Sequence, residues 1–324
     1  RTALAKGEVG ITERKKIPSF KAALADFLSW SEREHRAHPA THRRYQVSAV
    51  ALRKHFLDVP LDRVTPEEVE RYKTVRSAQV SPRTKRRVMP ATVNRELACL
   101  KALFNHVLKG DVPLRNSVSR VKFCEEHNEQ TRVLSYEEQE RYLAVTTPML
   151  RDVATLMLET GIRPEEVYRI RRENVQLEQG FLVILYGKTK AARRRVPLTA
   201  SARRVLGLRM ASDEAYLFPC ETDGTRPVPK VNNAHDRAVR DSKVAPFRLY
   251  DLRHTWATRA AMSGIDLVTL AAMLGHSRIQ MVLRYAHPTQ QHQHQAMERL
   301  EAFVSEQRIA HAERTASQSS HAIQ

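Results

Sequence analysis

Apolar residues in the first third of the chain recur at helical intervals. Behind Ser19, a residue suited to cap a helix, Phe20, Leu24, Phe27 and Leu28 fall on one face. From about Thr41, Tyr45, Ala49, Leu52 and Phe56 repeat the pattern. In the stretch VTPEEV, Thr65 stands at an N-cap, Pro66 at the first helical position and Glu68 where a capping box closes. Val64 and Val69 sit where a hydrophobic staple belongs. A fourth helix is predicted from about Ala91 to Lys109, with Val93, Leu97, Leu100 and Phe104 turned inward and Gly110 as the stop. These patterns predict a helical domain over residues 17–115, preceded by a short N-terminal segment, residues 1–16. That segment lacks an initiator Met, which leaves a truncated start open, and it has no apolar run of signal-peptide type.

The periodicity lapses between about Asn116 and Thr131, so residues 116–132 are read as a linker. Ser135, with Glu138 three residues on, opens a second domain over residues 133–290. It is mostly helical, but at Phe181–Tyr186 the pattern becomes that of a strand, GKTKAA reads as a turn, and Arg193–Leu198 as the returning strand. The expected class is therefore mainly α with a small β-hairpin, α+β overall. The same six apolar residues are the longest such run, far too short to cross a bilayer. Residues 291–324 are expected to hold a short amphipathic helix near Ala296–Val304, suited to dock on a partner, and a disordered end, TASQSSHAIQ.

Charge changes the picture. Lys and Arg number 54 against 36 acids, a formal net charge of +18. A surplus of that size favours a polyanionic partner, and double-stranded DNA is the first choice. The loop SPRTKRRVMP, between the third and fourth predicted helices, suits phosphate contact. The three cysteines, Cys99, Cys124 and Cys220, lack metal-type spacing and read as thiols in a reducing cytoplasm.

Four islands in the second domain carry candidate chemistry. ETGIRPEEV pins Arg163 between a helix-ending glycine and a helix-opening proline. YGKTKAARRRVPL places Lys188 and Lys190 at a hairpin tip. RLYDLRHTWATRAAMSG sets Arg253 and His254 near a helix start, and TLAAMLGHSRIQMVLRYAH carries His276 and Tyr285. Each has an ordinary explanation taken singly: Glu165 or Glu166 could pair with Arg163, a hairpin lysine is usually solvated, and a lone tyrosine usually packs.

Taken together and in order, they resemble the catalytic domain of the tyrosine recombinase (phage integrase) family. That family carries an arginine in a T-G-x-R context, a hairpin lysine, an L-R-H-T box, an L-G-H box and a tyrosine nine residues past its histidine. The matching positions here are Arg163, Lys188 or Lys190, Arg253, His276 and Tyr285, within about Leu134–Pro288. Lys188 is preferred because it directly follows Gly187 at the end of the predicted strand. The helical first half is similar in layout to the family's core-binding domain. One position departs: the family usually has a histidine three residues before the second arginine, and this chain has Tyr250.

The resemblance implies a site-specific recombinase that cleaves and rejoins DNA through a 3′-phosphotyrosyl link. Four protomers would gather on paired sites. Tyr285 would attack the phosphate, the two arginines would hold its non-bridging oxygens, His276 would donate to one of them, and the lysine would protonate the leaving 5′ oxygen. The chemistry suits the residues. A tyrosine with a pKa of about 10 is scarcely ionised at neutral pH and needs nearby cations. Arginines stay charged and make paired hydrogen bonds. No cofactor and no metal is expected; His287, His292 and His294 lie in a Gln-rich stretch that only hints at metal binding by composition. The main rival is a non-enzymatic regulator in which Asp266–Tyr285 forms a helix-turn-helix with Gly275 at the turn. A topoisomerase-like enzyme and a metal-dependent nuclease are further alternatives.

Overall fold

In this computed structural model the described residues are 16–82, 84–126, 132–187, 190–285, 294, 297–309 and 311. They fall into two compact units, within residues 1–128 and 129–324.

The first unit is helical among its described residues. Helix α1 (Phe20–Glu34) starts where Ser19 Oγ accepts the Ala22 N–H at 3.3 Å. Helix α2 (Pro39–Phe56) packs against α1 and against α4 (Pro90–Leu108). Between them α3 (Pro66–Ala78) opens as Thr65 Oγ1 accepts the Glu68 N–H at 3.3 Å. The Glu68 carboxylate turns to Arg71, 2.9 Å away, instead of closing a box. The predicted inward residues Phe20, Leu24, Phe27, Ala49, Leu52, Phe56, Val93, Leu97, Leu100 and Phe104 are all buried in one core. Val64 and Val69 join them, as a staple requires.

The first half of the expected linker, residues 116–132, packs on the helical unit. Asn116 Oδ1 accepts the Val118 N–H at 3.1 Å and caps a 3-10 turn, Ser117–Arg120. Val118 and Val121 are buried in the helical core, and the Asn94 side chain both donates to and accepts from the Cys124 backbone at 2.8 Å. Two apolar side chains and a paired amide bond hold this segment down, a signal too sparse to show as a period. Residues 127–131 lie outside the described residues. The basic loop is a tight turn closed by Ser81 N–H to Arg86 O at 2.8 Å, with Lys85, Arg86 and Arg87 exposed.

The second unit begins with α5 (Tyr136–Ala144), whose capping box between Ser135 and Glu138 forms as predicted. Helix α6 (Pro148–Thr160) packs on α8 (Ala200–Arg209) and on α10 (Asp251–Met262). Between α6 and α8 lie the short α7 (Pro164–Tyr168) and a three-stranded antiparallel sheet. Its strands are β1 (Val175–Gln176), β2 (Phe181–Ile184) and β3 (Arg194–Pro197), with Leu182 opposite Val196. The hairpin was predicted; β1 was not, nor was a second sheet of β4 (Pro219–Cys220) and β5 (Asp223–Pro227). The two-residue β1 and β4 are too short to leave a period-2 signature, and β5, DGTRP, lacks apolar positions to carry one. Helices α9 (Asn232–Asp241) and α11 (Leu267–Leu274) complete the set. A main core spans α5 to Leu252, and a smaller cluster joins Ala257, Leu270, Leu274, Val282 and Tyr285.

After Gly275 the chain makes two 3-10 turns, Ile279–Met281 and Leu283–Tyr285, where a helix-turn-helix requires a recognition helix. The regulator geometry is therefore not formed. Residues 297–309 are helical and expose Met297, Leu300, Phe303 and Val304. Among the described residues, no helix is long and apolar enough to cross a membrane.

Candidate active site

Two glycines shape the frame. Gly161 ends α6 at φ 65°, and a Cβ there would lie 2.2 Å from the Trp256 ring. Gly275 ends α11 at the same φ, and a Cβ there would lie 2.9 Å from an Arg194 Nη1. Only glycine tolerates the left-handed backbone and the close approach together. Each helix thus stops abruptly and leaves carbonyls without an intrahelical partner.

Arg253, in the first turn of α10, takes up those carbonyls. It is fully buried, donating from Nη1 to Gly161 O at 2.7 Å and from Nη2 to Leu274 O at 2.7 Å. A cation between two helix C-termini is favoured by both dipoles. Burial lowers its pKa to about 10, so it remains charged at neutral pH. Nη2 also lies 3.0 Å from His276 Nε2. An arginine can only donate, so Nε2 accepts and the His276 proton sits on Nδ1. Burial first, then Arg253, Arg163 and Arg194, lower the His276 pKa to about 4. Among the described residues, Arg253 Nε and His276 Nδ1 are both buried and have no hydrogen-bond partner. Unmet donors of this kind are rare in a purely structural network and suit an incoming anion.

Arg163 stands at the N-cap of α7, where its N–H and its Nη1 both donate to Glu166, at 2.9 and 2.8 Å. Burial works against its charge, but Glu166 and Tyr250 outweigh it and raise the pKa. Glu166 also accepts from Arg194, at 3.0 and 3.2 Å. Burial opposes the ionised carboxylate, yet Arg194 and Arg163 hold its pKa below the usual range. From β3, Arg194 reaches Met273 O at 2.6 Å through Nε, so the hairpin, α7 and the end of α11 are pinned to one another.

Tyr285 is 3% exposed, its hydroxyl 2.7 Å from His254 Nδ1. Burial raises its pKa, against the pull of Arg253. Tyr250, in place of the usual histidine, lies with its ring centroid 5.9 Å from the Arg253 guanidinium carbon and 5.1 Å from the His254 ring. The structure therefore brings Arg163, Arg253, His276 and Tyr285 into one cluster. Lys188 lies outside the described residues, as do His287 and His292. Lys190 starts a 3-10 turn, with its side chain likewise outside them. His294 is exposed.

Sequence reasoning assigned no role to Arg194 or His254 and named Glu166 only as one of two carboxylates. Alternation along β3 turns Arg194 and Val196 inward and Arg195 outward, which would have separated Arg194 from its arginine run. Glu166 stands three residues after the N-cap, the capping-box position. His254 was singled out beside Arg253 within the L-R-H-T box, but nothing local tied it to Tyr285.

Residues 127–292 match the model of the phage integrase family. The chain is 28% identical over 233 residues to the shufflon-specific DNA recombinase of Escherichia coli, covering 70% of this chain and 59% of that protein. It is 26% identical over 221 residues to the integrase of Escherichia phage P2, covering 66% of this chain and 60% of that protein. The chain thus spans about three fifths of these relatives' lengths. The fold is similar to that of the Tn1549 transposon integrase in complex with circular intermediate DNA, with a TM-score of 0.67 at 18% identity over 86% of this chain and 99% of that one. It is equally similar to a lambda integrase tetramer bound to a Holliday junction, with a TM-score of 0.67 at 17% identity over 85% and 79% of the two chains. The arrangement of arginines, histidine and tyrosine and the match over residues 127–292 lead to one conclusion: this chain belongs to the phage integrase family of tyrosine recombinases.

Proposed function

We propose that the chain is a site-specific DNA recombinase that cleaves and rejoins strands through a 3′-phosphotyrosyl intermediate. The observation that carries this reading is the pair of buried donors on Arg253 and His276 that have no partner among the described residues, in the cluster that contains Arg163 and Tyr285. A phosphodiester in that cluster would supply the missing acceptors, and Arg163, whose side chain is 27% exposed, would meet a second oxygen. Charge that builds on the non-bridging oxygens during attack is met by donors already fixed in place. Tyr285 becomes covalently joined to the 3′ phosphate and frees a 5′ hydroxyl, and a partner strand's hydroxyl reverses the step. Lys188 is the proposed acid for the leaving oxygen.

A cavity of about 310 Å³ beside the cluster is lined by Lys230, Arg248, Asn232 and Tyr250. Its two cations suit a neighbouring phosphate of double-stranded DNA. The exposed basic turn at residues 84–87 suits the same partner and supports a DNA-binding role for the first unit, with residues 17–115 as the core-binding domain. Four protomers on paired sites, joined through the helix at 297–309, and a cytoplasmic setting complete the proposal.

The test is a nicked duplex that traps the covalent step, with a site selected by binding from a random-sequence pool. A denaturing gel should show a protein–DNA adduct, and the adduct should survive excess chelator. Wild-type chain that binds the duplex and forms no adduct would overturn the reading.

A further inference from the structure

The proposed nucleophile already has a partner that none of the roles above employs. The Tyr285 hydroxyl lies 2.7 Å from Nδ1 of His254, with the two rings 5.7 Å apart. His254 directly follows Arg253 on α10, so the contacts that fix that arginine also fix the backbone carrying His254. At the position three residues before Arg253, where a histidine is usual, stands Tyr250, which is a poor base near neutral pH.

Resting on the strand-cleavage reading, we propose that His254 accepts the proton of Tyr285 as the tyrosine attacks DNA and returns it when the tyrosine leaves. A base must lie within about 2.6–3.2 Å of the proton it takes, and Nδ1 meets that condition without rearrangement. The protonation states fit. Burial, joined by Arg284 and Arg253 and opposed by Asp251, holds His254 below its usual pKa, so it is neutral and able to accept at pH 7. Tyr285 has its pKa raised by burial and therefore gains from a base in contact. Asp251 and Tyr250 face His254 from its own helix and cap, and Arg284 and Tyr285 from the turn packed against it.

The step balances. The O–H bond of Tyr285 breaks as its oxygen bonds to phosphorus, and the proton passes to His254 Nδ1. The bond from phosphorus to the 5′ oxygen breaks, and that oxygen takes a proton from the hairpin lysine or from water. On rejoining, a 5′ hydroxyl gives its proton back to that acid's conjugate base, and the tyrosine oxygen leaves with the proton held by His254. The imidazolium forms only while the phosphate is gathering negative charge, which offsets its repulsion by Arg284 and Arg253.

Single-turnover adduct formation should be measured from pH 6 to 9 on the nicked duplex with a sulfur-bridged leaving group, which needs no acid. The wild-type rate should be level from about pH 6.5 to 9, because His254, held below the usual histidine range, is already neutral there. His254→Asn can still accept the tyrosine's hydrogen bond but cannot take its proton. It should react about 100-fold more slowly at pH 7, with a rate that climbs about tenfold per pH unit towards the tyrosine range, while DNA binding is kept. An Asn variant as fast as wild type, or faster, would show that His254 only holds the tyrosine. If the variant does not fold, the wild-type profile decides: a tenfold rise per unit from pH 7 to 9 overturns the assignment. Wild-type chain that binds without forming adduct at any pH overturns the strand-cleavage reading itself.

Discussion

Two buried carboxylates, one in each unit, gather arginines in opposite ways. Glu96 accepts from the Tyr72 hydroxyl at 2.6 Å and from Arg76 Nε and Nη2 at 2.9 and 2.8 Å, while Arg76 Nη1 goes to Gln79 at 2.7 Å. That network is closed, with every named donor matched inside the first unit. Glu166 holds Arg163 and Arg194 just as firmly, yet in the same cluster Arg253 Nε and His276 Nδ1 stay buried and unmatched. Both networks bear the desolvation cost of buried charge. The first recovers it within the fold. The second leaves part of it uncompensated among the described residues, which suits the phosphate binding proposed above.

Chemistry offers the most severe way to break this contrast. Tyr285→Phe removes one hydroxyl from the open cluster and should abolish adduct formation while binding persists on a gel shift. Persistent adduct would mean another nucleophile.

Arg253→Lys keeps the charge but cannot reach Gly161 O, Leu274 O and His276 together. The adduct rate should fall by about 10²–10³, the loss typical of one preorganised donor. A rate within about threefold of wild type would mean that the fork geometry contributes nothing.

The closed network should respond in stability instead. Glu96→Ala strands the Tyr72 hydroxyl and the Arg76 guanidinium, and should cost about 3 kcal/mol in denaturant unfolding. Below the melting range its adduct rate should match wild type; a slowed rate would erase the distinction between the two networks.

The smallest effect is a pH dependence. His276 is neutral in the folded chain down to about pH 4, whereas an unfolded histidine takes its proton near 6.5. As pH falls through that window the unfolded chain binds the proton first, so stability present above pH 6.5 is lost on the way to 4. His276→Gln should therefore lose less thermal stability than wild type between pH 7 and 4.5. Equal losses would mean that His276 is not held neutral.

Much of both regions was legible beforehand, and for the same reason. Helix starts at Ser19, Thr65 and Ser135 are written in a few adjacent residues, because a cap is satisfied by backbone two or three positions away. The order of Arg163, Arg253, His276 and Tyr285 is likewise a property of the chain. The hidden parts had no local cause. Val118 and Val121 close the first core from a stretch that looks like linker, β1 and β4 are too short to leave a period, and β5, DGTRP, has no apolar residue to alternate.

The sequence by itself determined which elements form and which side chains are available for chemistry, since capping, periodicity and glycine stops act within a turn or two of chain. Only the tertiary structure decided that Arg253 spans 92 positions to Gly161, that Arg194 spans 79 to Met273, and that His254 spans 31 to Tyr285. Packing sets those contacts: α10 lies against α6 and α11, and the carbonyls exposed at the ends of α6 and α11 then accept from Arg253, a long, multiply donating cation.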